Sequence, residues 1–288
     1  CAKVFLLPTL SKNLKLRGFR CAKVFVIPVQ VADQPGASGI ALPKCFLSSR
    51  RSCSGKISSE HYISASILDS IKGKFVNTVM VSGFNFGLTQ FREVGIRNLT
   101  TKVLCERHNA LLSPFDAEMS RFVKAIQSTL TAVSNDEYYF SGHDIERWML
   151  KSSIAMLKGR LLKAKLPHGM RDFHRLSEFV LLPVIGNKSG GLYFEKLVGD
   201  KLVIDKLEIR VETIYNTSDG YLRGLRFYIC GLPFLYTFTS NAIPDWYIEK
   251  FNLILRPYLF EFRSDTRAVS IFLDWHGSVQ HKHIVISN

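Results

Sequence analysis

Residues 104–116, LCERHNALLSPFD, bring a cysteine, a histidine and an asparagine together as Cys105, His108 and Asn109. The Cys105-x-x-His108 spacing lets a thiolate and an imidazole reach one zinc ion across a tight turn. A second half-site lies upstream in residues 44–63, KCFLSSRRSCSGKISSEHYI, where Cys45 and Cys53 complete a Cys₃His tetrahedron. The alternative is that Cys45 and Cys53 are small buried residues flanking an Arg50-Arg51 loop. Glu60 and His61 follow within the same stretch. An imidazole titrates near working pH and can take a proton from water, and a carboxylate such as Glu60 can ligate a hard divalent cation.

These side chains need elements to hold them. Ser113 reads as an N-cap, Pro114 as the first helical residue and Asp116 as the capping acid, which predicts a helix from Ser113 onward. Asp116 has a second reading, as a carboxylate ligand for Mg²⁺. Phe115, Met119, Phe122, Ile126 and Leu130 recur at helical steps and give one apolar face, and the helix is expected to stop near Asn135-Asp136. Before it, the pattern predicts a strand at 61–63, a helix at 65–71, a strand at 75–81 and a glycine-punctuated loop at 83–95. After it comes a helix capped by Ser141, with Ile145, Trp148, Met149, Ser152 and Leu157 on one face. Between Arg147 and Arg175 eight Lys/Arg face one acid, Asp172. Lys158, Arg160, Lys163 and Lys165 there, with Arg50 and Arg51, are candidate phosphate contacts; the other reading is a solvated helix end. Strands dominate the remainder, at 179–185, 192–196, 202–215, 221–230, 235–239, 268–275 and 282–287, with a short helix at 243–251 and a turn at Ser218-Asp219-Gly220.

The order of these motifs is cysteines, then Glu60-His61, then LCERHN at 104–109 and an acid-bearing helix. It resembles the zinc-bearing branch of the HNH, or ββα-metal, nucleases over residues 43–125. The resemblance implies two strands and a helix around one catalytic divalent metal, Mg²⁺ or Mn²⁺, with a structural zinc stapling the halves. It implies His61 as general base, Asn109 as the residue that orients it, and Glu60 with Asp116 at the metal. Two positions depart from the pattern. Seven residues separate Cys45 from Cys53 where the family has two, and the last histidine of the helix is absent.

A formal charge of +14 over 288 residues favours a polyanionic partner, nucleic acid and DNA in particular. No stretch nears the ~20 apolar residues of a membrane span, and basic residues interrupt every apolar run at the N-terminus, so neither membrane partner nor signal peptide is expected. Six cysteines make no disulfide framework, and Cys1, Cys21 and Cys230 stand among apolar neighbours, a usage suited to the reducing cytoplasm. CAKVFLLP at 1–8 recurs as CAKVFVIP at 21–28, two copies being too few for a solenoid. The expected organisation is α+β: a basic, poorly ordered arm at 1–42, a zinc-stapled HNH-like module at 43–134, a basic helical connector at 135–178 and a mainly antiparallel β domain at 179–288. The expected function is metal-dependent phosphodiester hydrolysis. The alternative is a zinc-stabilised nucleic-acid-binding protein that does not cut, which the absent helix histidine favours.

Overall fold

The computed structural model describes residues 38–71, 78–82, 92–129, 135–167, 173–182, 190–196, 209–216, 218–239, 243–264, 267–275 and 283–287. The duplicated CAKVF segments, Leu130 and Asp172 lie outside them. In chain order the first elements are β1 (Glu60–His61), α1 (Ala65–Ile71), β2 (Thr78–Ser82), β3 (Arg92–Gly95) and β4 (Thr100–Thr101). Then follow α2 (Glu106–Ser128), β5 (Asp136–Ser141), α3 (Gly142–Lys158), α4 (His174–Leu181), β6 (Gly191–Glu195) and β7 (Ile209–Tyr215). The last are β8 (Leu222–Ile229), β9 (Leu232–Thr237), α5 (Asp245–Lys250), β10 (Leu253–Leu255), β11 (Leu259–Arg263), β12 (Ala268–Asp274) and β13 (His283–Ser287).

The architecture is α+β. The strands form a two-stranded β1–β4 ribbon, a seven-stranded sheet in the order β10-β6-β9-β8-β7-β2-β3 and a four-stranded sheet in the order β13-β11-β12-β5. Most pairs are antiparallel, as the alternating patterns predict, and three are parallel: β2 with β7, β11 with β13, and β5 with β12. Those pairings run across the boundaries drawn from composition. β2 and β3 leave the first module to extend a sheet of the β half, and β5 leaves the connector to edge the other sheet. One apolar core consequently runs from Cys45 to Ile286.

Helix α3 is the axis of that core. Ser141 caps it as expected, its Oγ accepting from the Asp144 N–H at 3.2 Å. An amphipathic helix was expected, yet every residue from Gly142 to Leu157 is buried. Its charged side chains are matched internally: Arg147 pairs with Asp144 and covers the Phe115 ring, and Glu146 accepts from Arg256 at 3.1 Å. Buried charges persist only when paired. At its C-terminal end α3 touches the ribbon: Tyr62 Oη donates to the Gly159 carbonyl at 3.4 Å, and a Cβ on Gly159 would lie 2.5 Å from Thr101 Oγ1. Glycine is required there for close approach.

Three segments differ from the expected elements. Helix α2 begins at Glu106, not at Ser113: Cys105 is the cap, its Sγ accepting from the His108 N–H at 3.4 Å. Pro114 therefore lies inside the helix, where it lacks the N–H that would bond the Ala110 carbonyl; Ser113 Oγ donates to that carbonyl at 2.8 Å instead. The helix also ends at Ser128, short of Asn135. Residues 179–181, expected in a strand, close helix α4, which buries Leu176, Val180 and Leu181 against α3. Arg92–Gly95, expected as loop, pairs with β2.

The expected apolar face of α2 is present, with Phe115, Met119, Phe122 and Ile126 fully buried. Phe122 lies 5.4 Å from Phe140, 5.8 Å from Phe234 and 6.4 Å from Phe260, edge to face, so one ring joins α2 to both large sheets. Phe122→Ala should lower stability by about 3–5 kcal/mol in urea unfolding, the range for a buried ring removed from a packed site. Among the described residues, no helix is long and apolar enough to cross a membrane.

Candidate metal centre and the adjoining cleft

The segment from residue 40 to residue 58 folds back on the chain that enters α2. Phe46 N–H donates to the Val103 carbonyl at 2.9 Å, Ser58 N–H to Leu104 at 2.9 Å, and Glu106 N–H to Lys56 at 3.0 Å. Between the two upstream cysteines the chain makes one 3-10 turn, Ser48–Arg50, and reverses at Arg51, whose φ is 51°. That reversal absorbs the seven-residue spacer, so Cys45 and Cys53 meet despite departing from the usual spacing.

Sγ of Cys45, Cys53 and Cys105 and a ring nitrogen of His108 lie within 4.8 Å of one another, all four residues buried. His108 Nδ1 is 3.3 Å from Cys45 Sγ, 3.2 Å from Cys105 Sγ and 3.8 Å from Cys53 Sγ. The ligand–ligand edges of a zinc tetrahedron with Zn–S near 2.3 Å and Zn–N near 2.0–2.1 Å are about 3.6–3.8 Å. The far ring nitrogen, Nε2, is 3.0 Å from Ser52 Oγ, a contact that holds the ring with Nδ1 facing the thiols. The four groups can hold a metal ion such as zinc.

The three thiols differ in their electrostatic surroundings. Burial pushes the Cys45 thiol up to about 12 and raises Cys53 as well. Burial acts upward on Cys105 too, but the backbone N–H groups of His108 and Ser54 outweigh it, and this thiol sits below its ordinary value. A divalent ion with affinity for sulfur would displace the thiol protons and neutralise the thiolates together. Ser52, which the sequence did not single out, is the residue behind the histidine. Ser52→Ala should weaken metal affinity by about 10–100-fold in competition with a chromophoric chelator, the usual effect of losing such a partner.

Beside the centre, β1, β4 and α2 form a ribbon-and-helix unit whose cleft has a volume of about 440 Å³ and is lined by Glu60, His61, Ser64, Asn109 and Asp116 among others. The structure thus brings together the residues named for catalysis. Their partners differ from expectation. Lys151 Nζ, on α3, lies 2.6 Å from Glu60 Oε1 and 2.6 Å from Asp116 Oδ2. Asp116 is not a helix cap: it is mid-helix, and its Oδ1 accepts from Ser64 Oγ, which itself accepts from Trp148 Nε1 at 2.6 Å. The Asn109 side chain acts on Glu60, favouring its charged form. The position expected to hold a catalytic Mg²⁺ or Mn²⁺ is spanned by an ammonium.

Burial raises the Glu60 carboxyl, and the Lys151 ammonium opposes that rise. His61 is half-buried and its pKa is lowered, chiefly by burial and further by Lys151, against the upward pull of Asp69 and Asp116. It is therefore neutral at pH 7. Lys151 escaped the sequence reading because a lysine beside Trp148 in a basic stretch looks like a solvated one; only the fold turns it inward.

The basic stretch is not one surface. Arg147 and Lys151 are internal, Lys158 is half-buried with Nζ 3.5 Å from the Pro43 carbonyl, and Arg160, Lys163 and Lys165 are exposed. Lys165 covers the Tyr221 ring at 4.3 Å. Of the upstream pair, Arg51 is exposed and Arg50 half-buried. Cys230 is a buried thiol at the β8–β9 turn, as its apolar neighbours predicted. No protein-family model, no curated protein and no solved structure matches this chain.

Proposed function

We propose that the chain acts on nucleic acid through a zinc-stapled, HNH-like unit of β1, β4 and α2, with His61 as the general base of phosphodiester hydrolysis. The observation that carries this reading is the juxtaposition of the Cys₃His centre with a cleft presenting a neutral His61. A zinc ion at the centre would be held by Cys45, Cys53, Cys105 and His108; with no ligand position left open, it would supply structure and not chemistry. His61 would accept the proton of a water attacking phosphorus, and a neutral imidazole is the form that can do so. Lys151 stands between Glu60 and Asp116, where a divalent ion would be held, so no step is assigned to one. The test is incubation of zinc-loaded protein with single- and double-stranded DNA and RNA, wild type beside His61→Ala. Cleavage by wild type alone supports hydrolysis.

Lys151 favours a second reading, a zinc-stabilised protein that binds nucleic acid and leaves it intact. A salt-locked acid pair is a structural arrangement, and binding requires only basic surface. Under either reading, Arg160, Lys163 and Lys165 are the exposed cations that would meet phosphates. Changing all three to Gln should shallow the log-affinity against log-salt slope by roughly 0.9 for each duplex-DNA phosphate no longer neutralised. An unchanged slope would return them to plain solvated surface.

A further inference from the structure

The Lys151 ammonium is 2% exposed and bridges the two carboxylates, Glu60 and Asp116, at 2.6 Å each. We infer that Lys151 is the resident cation of the cleft, and that it and a divalent metal are mutually exclusive occupants of the Glu60–Asp116 position. Lys151 is thus the residue that sets whether this cleft takes a metal at all.

Three observations support the assignment. The two carboxylates come from different elements, β1 and α2, and meet on one ammonium, which compensates their like charges. Asp116 is further oriented by a neutral donor, Ser64, itself held by Trp148 Nε1. Oxygen ligands pre-oriented in this way suit a hard cation. And the ammonium that fills the point arrives from a third element, α3, whose residues from Gly142 to Leu157 are all buried. A dication entering beside Lys151 would meet a like charge in a poorly solvated site; with the ammonium gone, the same oxygens would face an uncompensated position.

The inference concerns occupancy and does not depend on whether the cleft cuts nucleic acid, so its failure and that of hydrolysis are read separately. The experiment measures Mn²⁺ binding to zinc-loaded protein by electron paramagnetic resonance, with zinc content and circular dichroism recorded for each variant. Lys151→Met should bind Mn²⁺ at least about tenfold more tightly than wild type. Lys151→Arg should bind as weakly as wild type, because a cation is retained, and Lys151→Met with Asp116→Asn should lose the gain. If Lys151→Met does not fold in plain buffer, refolding driven by Mn²⁺ and not by K⁺ reports the same competition. Equal Mn²⁺ affinity in wild type and Lys151→Met, or a Lys151→Met chain that Mn²⁺ neither binds nor rescues, would overturn the inference.

Discussion

Cys105→Ser should be isolated without zinc, whereas wild type should carry one tightly held ion per chain. The substitution is well suited to isolating the metal's role. Cys105 is both a candidate ligand and the cap of α2, and serine is a strong N-cap, so the helix start is preserved while the thiolate is lost. Structural zinc contributes an apparent 10–16 kcal/mol in small zinc-folded peptides, comparable to the ~5–15 kcal/mol by which whole domains are stable. The loss should concentrate where the cluster does the joining. The amides of Phe46, Ser58 and Glu106, whose hydrogen bonds join the two segments, should exchange early in the variant and late in wild type. Cys230→Ser should leave metal content unchanged, since Cys230 is outside the cluster.

The second large effect is expected at His61. If it activates water, His61→Ala should slow cleavage by about 10²–10⁴-fold while leaving zinc content and nucleic-acid affinity nearly intact, because a base acts in the transition state only. The pH profile is a further check. His61 is shifted below its ordinary 6.5, mainly by burial. The base must be deprotonated, so the rate should be level through pH 7 and fall on the acid side, with its midpoint under 6.5. A midpoint above 6.5 would assign the base elsewhere. Wild-type protein that binds nucleic acid but cuts none of the four substrate forms would decide for the binding reading.

How much of this was visible in the residues differs by feature, for physical reasons. The ligand set was visible because thiol and imidazole chemistry is specific: Cys45, Cys53, Cys105 and His108 have few other reasons to stand near Glu60-His61. What the spacing could not show was the reversal at Arg51 that brings the upstream pair together. The cap of α3 was legible because Ser141 acts within four residues, and α1 lies at residues 65–71 as its pattern predicts. The start of α2 was not, because Ser113 and Pro114 carry the marks of a helix start, while a cysteine cap carries none. The strand expected at 179–185 failed for a related reason: a short apolar run has no period long enough to separate strand from buried helix.

Long-range features were hidden altogether. Local patterns grouped β2 and β3 with the metal module and β5 with a connector, yet their hydrogen-bond partners lie up to 133 positions away, as between Asp136 and Val269. The role of Lys151 depends on the same kind of information. Its partners, Glu60 and Asp116, lie on β1 and α2, and nothing in the sequence around residue 151 points to either.

The central claim is that one ion joins the 45–53 loop to the start of α2. X-ray absorption at the zinc K-edge tests it most directly, on protein purified without added metal. The expected spectrum is that of a first shell of three sulfurs at about 2.3 Å and one nitrogen at about 2.0–2.1 Å. Folded protein without zinc, or a shell built only from oxygen and nitrogen, would contradict it.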